Sequence, residues 1–201
     1  MKYNLISLMK KDCSVVILAA GNSSRMGSPK FTLTLSDGRM FIENIVKQYV
    51  EFGCMEVIVV INNDGKSHLD EHPINADADI TFAINQHPEY ERFYSVQTGL
   101  SKVLSNHPVF IHNADNPFAN HEVLKALYSS RIGADLIKPV FKKTGGHPIL
   151  ISNKIVKDIV SYKNYDIHLN DFLKKYSIKT IKINDEKILI NVNTLSDYKN
   201  L

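Results

Sequence analysis

A loop between Gly21 and Lys30 gathers the groups of this 201-residue chain best suited to chemistry on an anion. Gly21 and Gly27 let the backbone turn tightly and come close to a ligand. Backbone N–H groups, Ser23 and Ser24 can donate to phosphate oxygens, while Arg25 and Lys30 supply positive charge. The set suits a polyphosphate. Its spacing is neither a Walker A loop, which needs GxxxxGK[ST], nor the GxGxxG of a dinucleotide fold. Pro29 argues against a helix running straight through the loop, so side chains reaching across an extended segment would do much of the holding. A surface loop that happens to be rich in glycine is the alternative.

Asp115 is the second candidate. It follows the apolar run Val109–Ile111 and precedes Pro117, which puts a carboxylate at the end of a predicted strand, as a cation ligand or as the cap of a turn. His112 precedes it on the same strand and is placed to line a site there. His147, in "GGHP", reads as a structural residue or a substrate contact, and Arg92 as a nucleotide contact or a solvated side chain. Ser95 opens a helical stretch, as a hydroxyl facing a ligand or as an ordinary cap. The remaining histidines show no metal-binding spacing, and Cys13 and Cys54 read as small core residues.

The elements that must position these groups are legible as alternating runs. "SVVILAA", "EVIVVI" (Glu56–Ile61), "DITFAI" (Asp79–Ile84), "PVFIHNA" (Pro108–Ala114) and "ADLIKPVF" (Ala134–Phe141) predict strands. The first, second and fourth lack polar alternation, as strands buried on both faces do. Between them, "MFIENIVKQYVEF" sets Phe41, Ile45, Val46 and Tyr49 on one helical face. "FYSVQTGLSKVL" and "HEVLKALYSS" also read as helices, the latter with Asn120 as its N-cap. The alternation predicts an α/β fold with a mostly parallel sheet, in which ligands bind beyond the carboxyl ends of the strands. After Thr144, "GGHPILIS" predicts a further strand and the stretches Ile155–Tyr162 and His168–Tyr176 predict helices. "IKTIKI" and "KILINV", separated by "NDEK", predict a small C-terminal β-hairpin.

Bulk properties narrow the class. The chain is 44% apolar and 22% charged with a net charge of +3, so nothing in the total points to nucleic acid or a membrane surface. Two cysteines make no disulfide framework, and no run approaches the length of a membrane span. A single domain over residues 1–201, soluble and cytoplasmic, is the expectation.

"LAAGNSSRMGSPK" resembles the LAAGxSxRMGxxK motif of the MobA-like nucleotidyltransferases, a group that includes the molybdenum cofactor cytidylyltransferases. The resemblance continues through Asn85, Ser95, Gly99 and Leu100 in "INQHPEYERFYSVQTGL", through Asp115 and Pro117 in "FIHNADNPF", and through "GADLIKPVFKKTGGHPILIS" and "INVNTLSDY". It implies a Rossmann-like, GT-A-type sheet flanked by helices. It also implies an enzyme that moves a nucleotidyl group from an NTP to a small phosphorylated acceptor, molybdopterin among the candidates, with release of pyrophosphate. Arg25, Lys30 and Asp115 become the catalytic residues, and Leu18, Ala19, Ala20, Gly21, Ser23, Ser24, Arg25, Lys30, Asn85 and Ser95 the nucleotide contacts. Gly146 and His147 fall on the acceptor side. Mg²⁺ is the implied cofactor, held by Asp115 with Asn191 and Asn193, where the cytidylyl pattern has two aspartates. Ala20 favours CTP, because the guanylyl branch usually reads LAGG. Glu91 stands where the cytidylyl pattern usually has glycine and would reshape the base or acceptor side. The rival readings are a sugar- or alditol-phosphate cytidylyltransferase and a nucleotide-binding protein of low catalytic activity.

Overall fold

The computed structural model of the chain describes residues 10–21, 29–76, 78–118, 120–165 and 167–201. Among these residues eight strands form one sheet: β1 (Lys11–Leu18), β2 (Cys54–Ile61), β3 (Ile80–Ile84), β4 (Val109–Asn113), β5 (Leu136–Phe141), β6 (Thr144–Gly145), β7 (Ile149–Ile151) and β8 (Ile178–Lys182). Seven α-helices among the described residues accompany them: α1 (Phe41–Phe52), α2 (Asn63–Glu71), α3 (Glu91–Leu100), α4 (His121–Ser129), α5 (Asn153–Ser161), α6 (Leu169–Leu173) and α7 (Leu195–Lys199). The sheet order is β3-β2-β1-β4-β7-β5-β6, with β8 also on β5. β1 through β4 pair in parallel, β7 runs antiparallel to both β4 and β5, and β8 is parallel to β5. The expected α/β architecture, a mostly parallel sheet flanked by helices, is the one that forms.

Burial on both faces explains the unbroken apolar runs. Successive strand residues point to opposite sides, so Val15, Ile17, Val57 and Val59 meet α1 and α4 on one face. Val16, Ile58, Val60 and Ile111 meet α3, α5 and α6 on the other. Helix α1 lays Ile42, Ile45, Val46 and Tyr49 against the sheet and stops at Gly53, whose φ of +96° is the left-handed conformation of a helix C-terminus. Asn120 caps α4 as its sequence suggested, its side chain accepting from the N–H of Val123 at 2.9 Å.

The expected C-terminal hairpin does not form. "IKTIKI" supplies β8, which joins β5 in parallel from Leu136↔Ile178 to Val140↔Lys182. The second half of the predicted hairpin becomes a 3-10 turn at Glu186–Leu189, capped by Asp185, whose side chain accepts from the N–H of Lys187. The physical reason is Ile188. It is 1% exposed, and its carbonyl takes the N–H of His147 at 2.9 Å, so the segment spends its apolar side chain and backbone on the core rather than on β8.

Helix α3 crosses the sheet at Gly99, where a Cβ would lie 2.4 Å from Val16 Cγ1 and 2.7 Å from Val60 Cγ2. Glycine costs about 1 kcal/mol of helix propensity there. Overpacking two buried β-branched side chains costs about 1–3 kcal/mol, so crowding outweighs the propensity gain. Gly99→Ala should therefore lower stability, by up to about 2 kcal/mol in urea unfolding. A midpoint equal to or above the parent's would show that α3 can ride further from the sheet than the structure places it.

Candidate active site

Strands β1 and β4 are adjacent and parallel, with Leu18 opposite Asn113, so the segments that follow them leave the same sheet edge side by side. Ala19 is held by its N–H to the carbonyl of Val60 at 2.8 Å, and Ala114 by its N–H to that of Leu18 at 3.0 Å. Beyond these strand ends lies a cleft of about 390 Å³. It is lined by Leu18, Ala19, Ala20 and Gly21 at the end of β1, by Lys30 and Phe31, by Asn113, Ala114 and Asp115 at the end of β4, and by Pro88, Glu91, Arg92 and Ser95 around the start of α3. Ser23, Ser24 and Arg25 lie outside the described residues.

Asp115 faces the cleft with its carboxyl largely out of water. Its Oδ1 is buried and has no hydrogen-bond partner among the described residues. Burial pushes the Asp115 carboxyl above its ordinary range, while Lys30 and Arg92 pull it back. Arg92 carries the complementary strain: burial weakens its hold on its proton, Asp115 strengthens it, and its Nε finds no partner among the described residues. The sequence alone leaves Arg92 as open to solvent as to a nucleotide, and nothing in it marks Asn113. The available signal for Arg92 was its place in the first turn of a helix that begins at the ligand edge.

The other expected residues sit around this core. Ser95 lines the cleft, and Asn85 stands behind it, donating from Nδ2 to Ser95 Oγ at 2.8 Å and accepting the His87 N–H at 2.8 Å. Asn193 is drawn in from the C-terminal segment, its Oδ1 accepting from Lys30 Nζ at 2.9 Å. The N–H of Val192 donates to the carbonyl of Asp115 at 2.8 Å, which fixes that segment beside the carboxylate. Asn191 is exposed and donates to the carbonyl of Leu189. His147 stands behind Asn113, its Nε2 3.4 Å from Asn113 Nδ2. Burial and the nearby Arg92 push its pKa down to about 3, so the ring is neutral near pH 7. Gly146 is required by packing, because a Cβ would lie 2.5 Å from the carbonyl oxygen of Ile188.

One fully buried relay underlies the turn that carries Asp115. His112 Nε2 is 2.7 Å from the carbonyl of Asn116, which can only accept, so the neutral ring carries its proton on Nε2. Nδ1 then accepts from the Tyr49 hydroxyl at 2.9 Å. Asn116, also buried, donates from Nδ2 to the carbonyls of Lys187 and Ile188.

The donor set fits a metal that arrives with its ligand rather than one caged by the protein. Asp115 Oδ1 offers a hard, buried, unpartnered oxygen, and Asn193 Oδ1 is an oxygen already engaged by Lys30. No cluster of three or more His, Cys, Asp or Glu that could hold a metal exists among the described residues. Mg²⁺ commonly keeps several waters and takes one or two carboxylates plus substrate phosphates. No helix among the described residues is long and apolar enough to cross a membrane.

The family described as MobA-like NTP transferase domain matches residues 15–180. A probable molybdenum cofactor guanylyltransferase of Clostridium perfringens is 26% identical over 200 residues, covering 94% of this chain and 95% of that one. A protein of the same name from Natranaerobius thermophilus is 27% identical over 204 residues, covering 95% of each. In fold, the crystal structure of Rv0371c from Mycobacterium tuberculosis H37Rv superposes with a TM-score of 0.78 at 17% identity, covering 94% of this chain and 97% of that one.

The relay makes stability pH-dependent. Burial lowers the His112 pKa from 6.5 to about 4. The unfolded ring takes up a proton near pH 6.5 and the folded ring only near 4, so protonation favours unfolding and stability falls as pH drops through that window. The loss from this residue should be about 3 kcal/mol, and His147 adds to the same trend. Urea unfolding of the parent and of His112→Gln across pH 7 to 4 checks it: the variant should show the shallower slope, and equal slopes would refute the relay's protonation state.

Proposed function

The chain belongs to the MobA-like NTP transferase family, and from that membership we propose that it transfers a nucleotidyl group from an NTP to a small phosphorylated acceptor, acting as one domain over residues 1–201. An acceptor phosphate oxygen attacks the α-phosphorus, the bond to the β-phosphate oxygen breaks, and pyrophosphate leaves. Such transfers need positioning and charge neutralisation more than covalent help from the protein. The observation that carries this reading is the buried oxygen of Asp115, without a partner among the described residues, in a cleft at the strand ends that Lys30 and Arg92 also line and whose charges act on it.

The residues divide the work by charge. The backbone at Ala20 and Gly21 would approach the phosphates, with Arg25, Ser23 and Ser24 completing the grip. Lys30, steadied by Asn193, would neutralise the leaving pyrophosphate. Asp115 would hold Mg²⁺, with Asn193 or Asn191 offering a neutral oxygen or a bound water. Mg²⁺, when bound, supplies positive charge shared among the phosphates. Ser95, oriented by Asn85, would meet the nucleoside. Asn113 and the neutral His147 would face the acceptor without adding charge.

The names of the relatives support guanylyl transfer to the molybdenum cofactor, which makes GTP the nucleotide and molybdopterin the acceptor of choice. Ala20 supports a second reading, with CTP in place of GTP. Pyrophosphate release from Mg·GTP and Mg·CTP, with molybdopterin and with a panel of sugar and alditol phosphates, separates the two and also separates either from a nucleotide-binding protein without turnover.

Asp115→Asn, Lys30→Ala and Arg25→Ala should each lower pyrophosphate release by about 10²–10³, the usual cost of removing one electrostatic stabiliser of a transition state. The thermal midpoint of Asp115→Asn should stay at or above the parent's, because burial disfavours the ionised carboxyl by more than Lys30 and Arg92 favour it and asparagine keeps the same shape without the charge. Parent-like turnover in Asp115→Asn would sink the assignment.

A further inference from the structure

We infer that Cys13 and Cys54 form a redox-active thiol pair, which a hydroperoxide converts to an intrachain disulfide between β1 and β2. Their sulfurs lie 3.5 Å apart although the residues are 41 positions apart in the chain. A shift in strand register brings them together. Lys11 is opposite Cys54, but Ser14 is already opposite Glu56, so two residues of β1 face one of β2. In an unshifted register Cys13 would face Glu56; the shift sets it back toward Cys54. The N–H of Lys11 donates to the carbonyl of Gly53 at 2.8 Å, which pins the two strands beside the pair. Both thiols are free, Cys13 fully buried and Cys54 partly exposed. The pair sits at the starts of strands whose far ends carry the candidate cleft, so the inference stands apart from the nucleotidyltransferase reading.

Neighbouring strands lie about 4.8 Å apart, inside the range of about 4.4–6.8 Å that disulfide-linked Cα atoms span. The more exposed Cys54 reacts first. Its thiolate attacks one peroxide oxygen, the O–O bond breaks, and the other oxygen leaves as water, or as an alcohol from an organic peroxide. The Cys13 sulfur then attacks the sulfenic acid left on Cys54. The S–O bond breaks as the S–S bond forms, and the Cys13 proton leaves with the hydroxide as water. The two thiols supply both electrons that reduce the peroxide, so no other reductant is needed. Contact with Cys13 and then burial push the Cys54 thiol above its ordinary range, and the Lys11 ammonium pulls it back. The pair therefore keeps its protons near pH 7 and answers to sustained rather than passing exposure. The bond would tie both ends of the segment that carries Lys30 and α1.

Treating the reduced full chain with hydrogen peroxide tests this, with thiols counted after denaturation, intact mass measured and the products run on a non-reducing gel. The count should fall from the two thiols of the sequence to none. The mass should drop by about 2 Da with no oxygen added. The product should remain a single chain, melt about 5–10 °C above the reduced chain, and return to the starting midpoint with a dithiol reductant. Cys13→Ala leaves Cys54 without a resolving thiol, so the same treatment should add oxygen to that variant instead. Thiols that survive an exposure about tenfold longer than a free cysteine peptide needs would overturn the inference. Oxygen added to the parent, covalent dimers, or a product that melts no higher than the reduced chain would overturn it too. If Cys13→Ala does not fold, the parent's thiol count, mass and midpoint still decide.

Discussion

The hydrogen bond from His112 to the carbonyl of Asn116 is the contact on which the candidate site depends. It closes the turn after β4, and it does so from the core, where Tyr49 fixes the ring from the far side. The turn then becomes a platform with several attachments. Asn44 donates to the carbonyl of Pro117, Asn116 reaches the carbonyls of Lys187 and Ile188, and Val192 reaches that of Asp115. The C-terminal segment and the "GGHP" turn are thereby referred to the same few atoms. A buried polar network fully satisfied in this way specifies one geometry, since any slip leaves a donor or acceptor unpaired out of water.

Charge is balanced against burial rather than simply accumulated. Asp115, Arg92 and His147 are each pushed toward their neutral forms by burial, while Lys30 and Arg92 keep pulling Asp115 toward its anion. A site in this condition gains from an incoming group that carries both signs. Phosphates answer the cations, and a hard cation answers the carboxylate. Asn193 fits the same logic. As a neutral oxygen it can accept from Lys30 without adding a second anion beside Asp115.

The fold was legible where one signal dominated. The unbroken runs of β1, β2 and β4 marked strands covered on both faces, and the stripe of α1 and the Asn120 cap marked helices with their own local determinants. The hairpin failed because two apolar runs flanking "NDEK" fit a hairpin as well as they fit a strand followed by a 3-10 turn. Only the pocket for Ile188 under Gly146 and His147 decides between them. The same limit applies to the site. Lys30 and Asp115 announced themselves through residue type and position at strand ends. Arg92 did not, because its direction depends on how α3 packs. The φ of +55° at Glu91 is a property of the backbone path between Pro88–Tyr90 and α3, which periodicity does not encode. His112 gave no hint of being the keystone, since its partners lie 63 residues before it and 4 after it in the chain.

The reversed direction of β7 has a consequence of its own. In the parallel part of the sheet, the residues that meet the cleft come after their strands. β7 runs the other way, so the residues that meet the cleft come before it: with Ile111 opposite Ile149, two residues further along β4 bring Asn113 to His147. The two sides of the site are thus written in chain segments of opposite polarity. The proposed nucleotide side is spliced into the outgoing connections of β1 and β4, and the proposed acceptor side into the incoming connection of β7. A change of length in the connection that leads into β7 would therefore act on the proposed acceptor side alone, separately from the connections that leave β1 and β4.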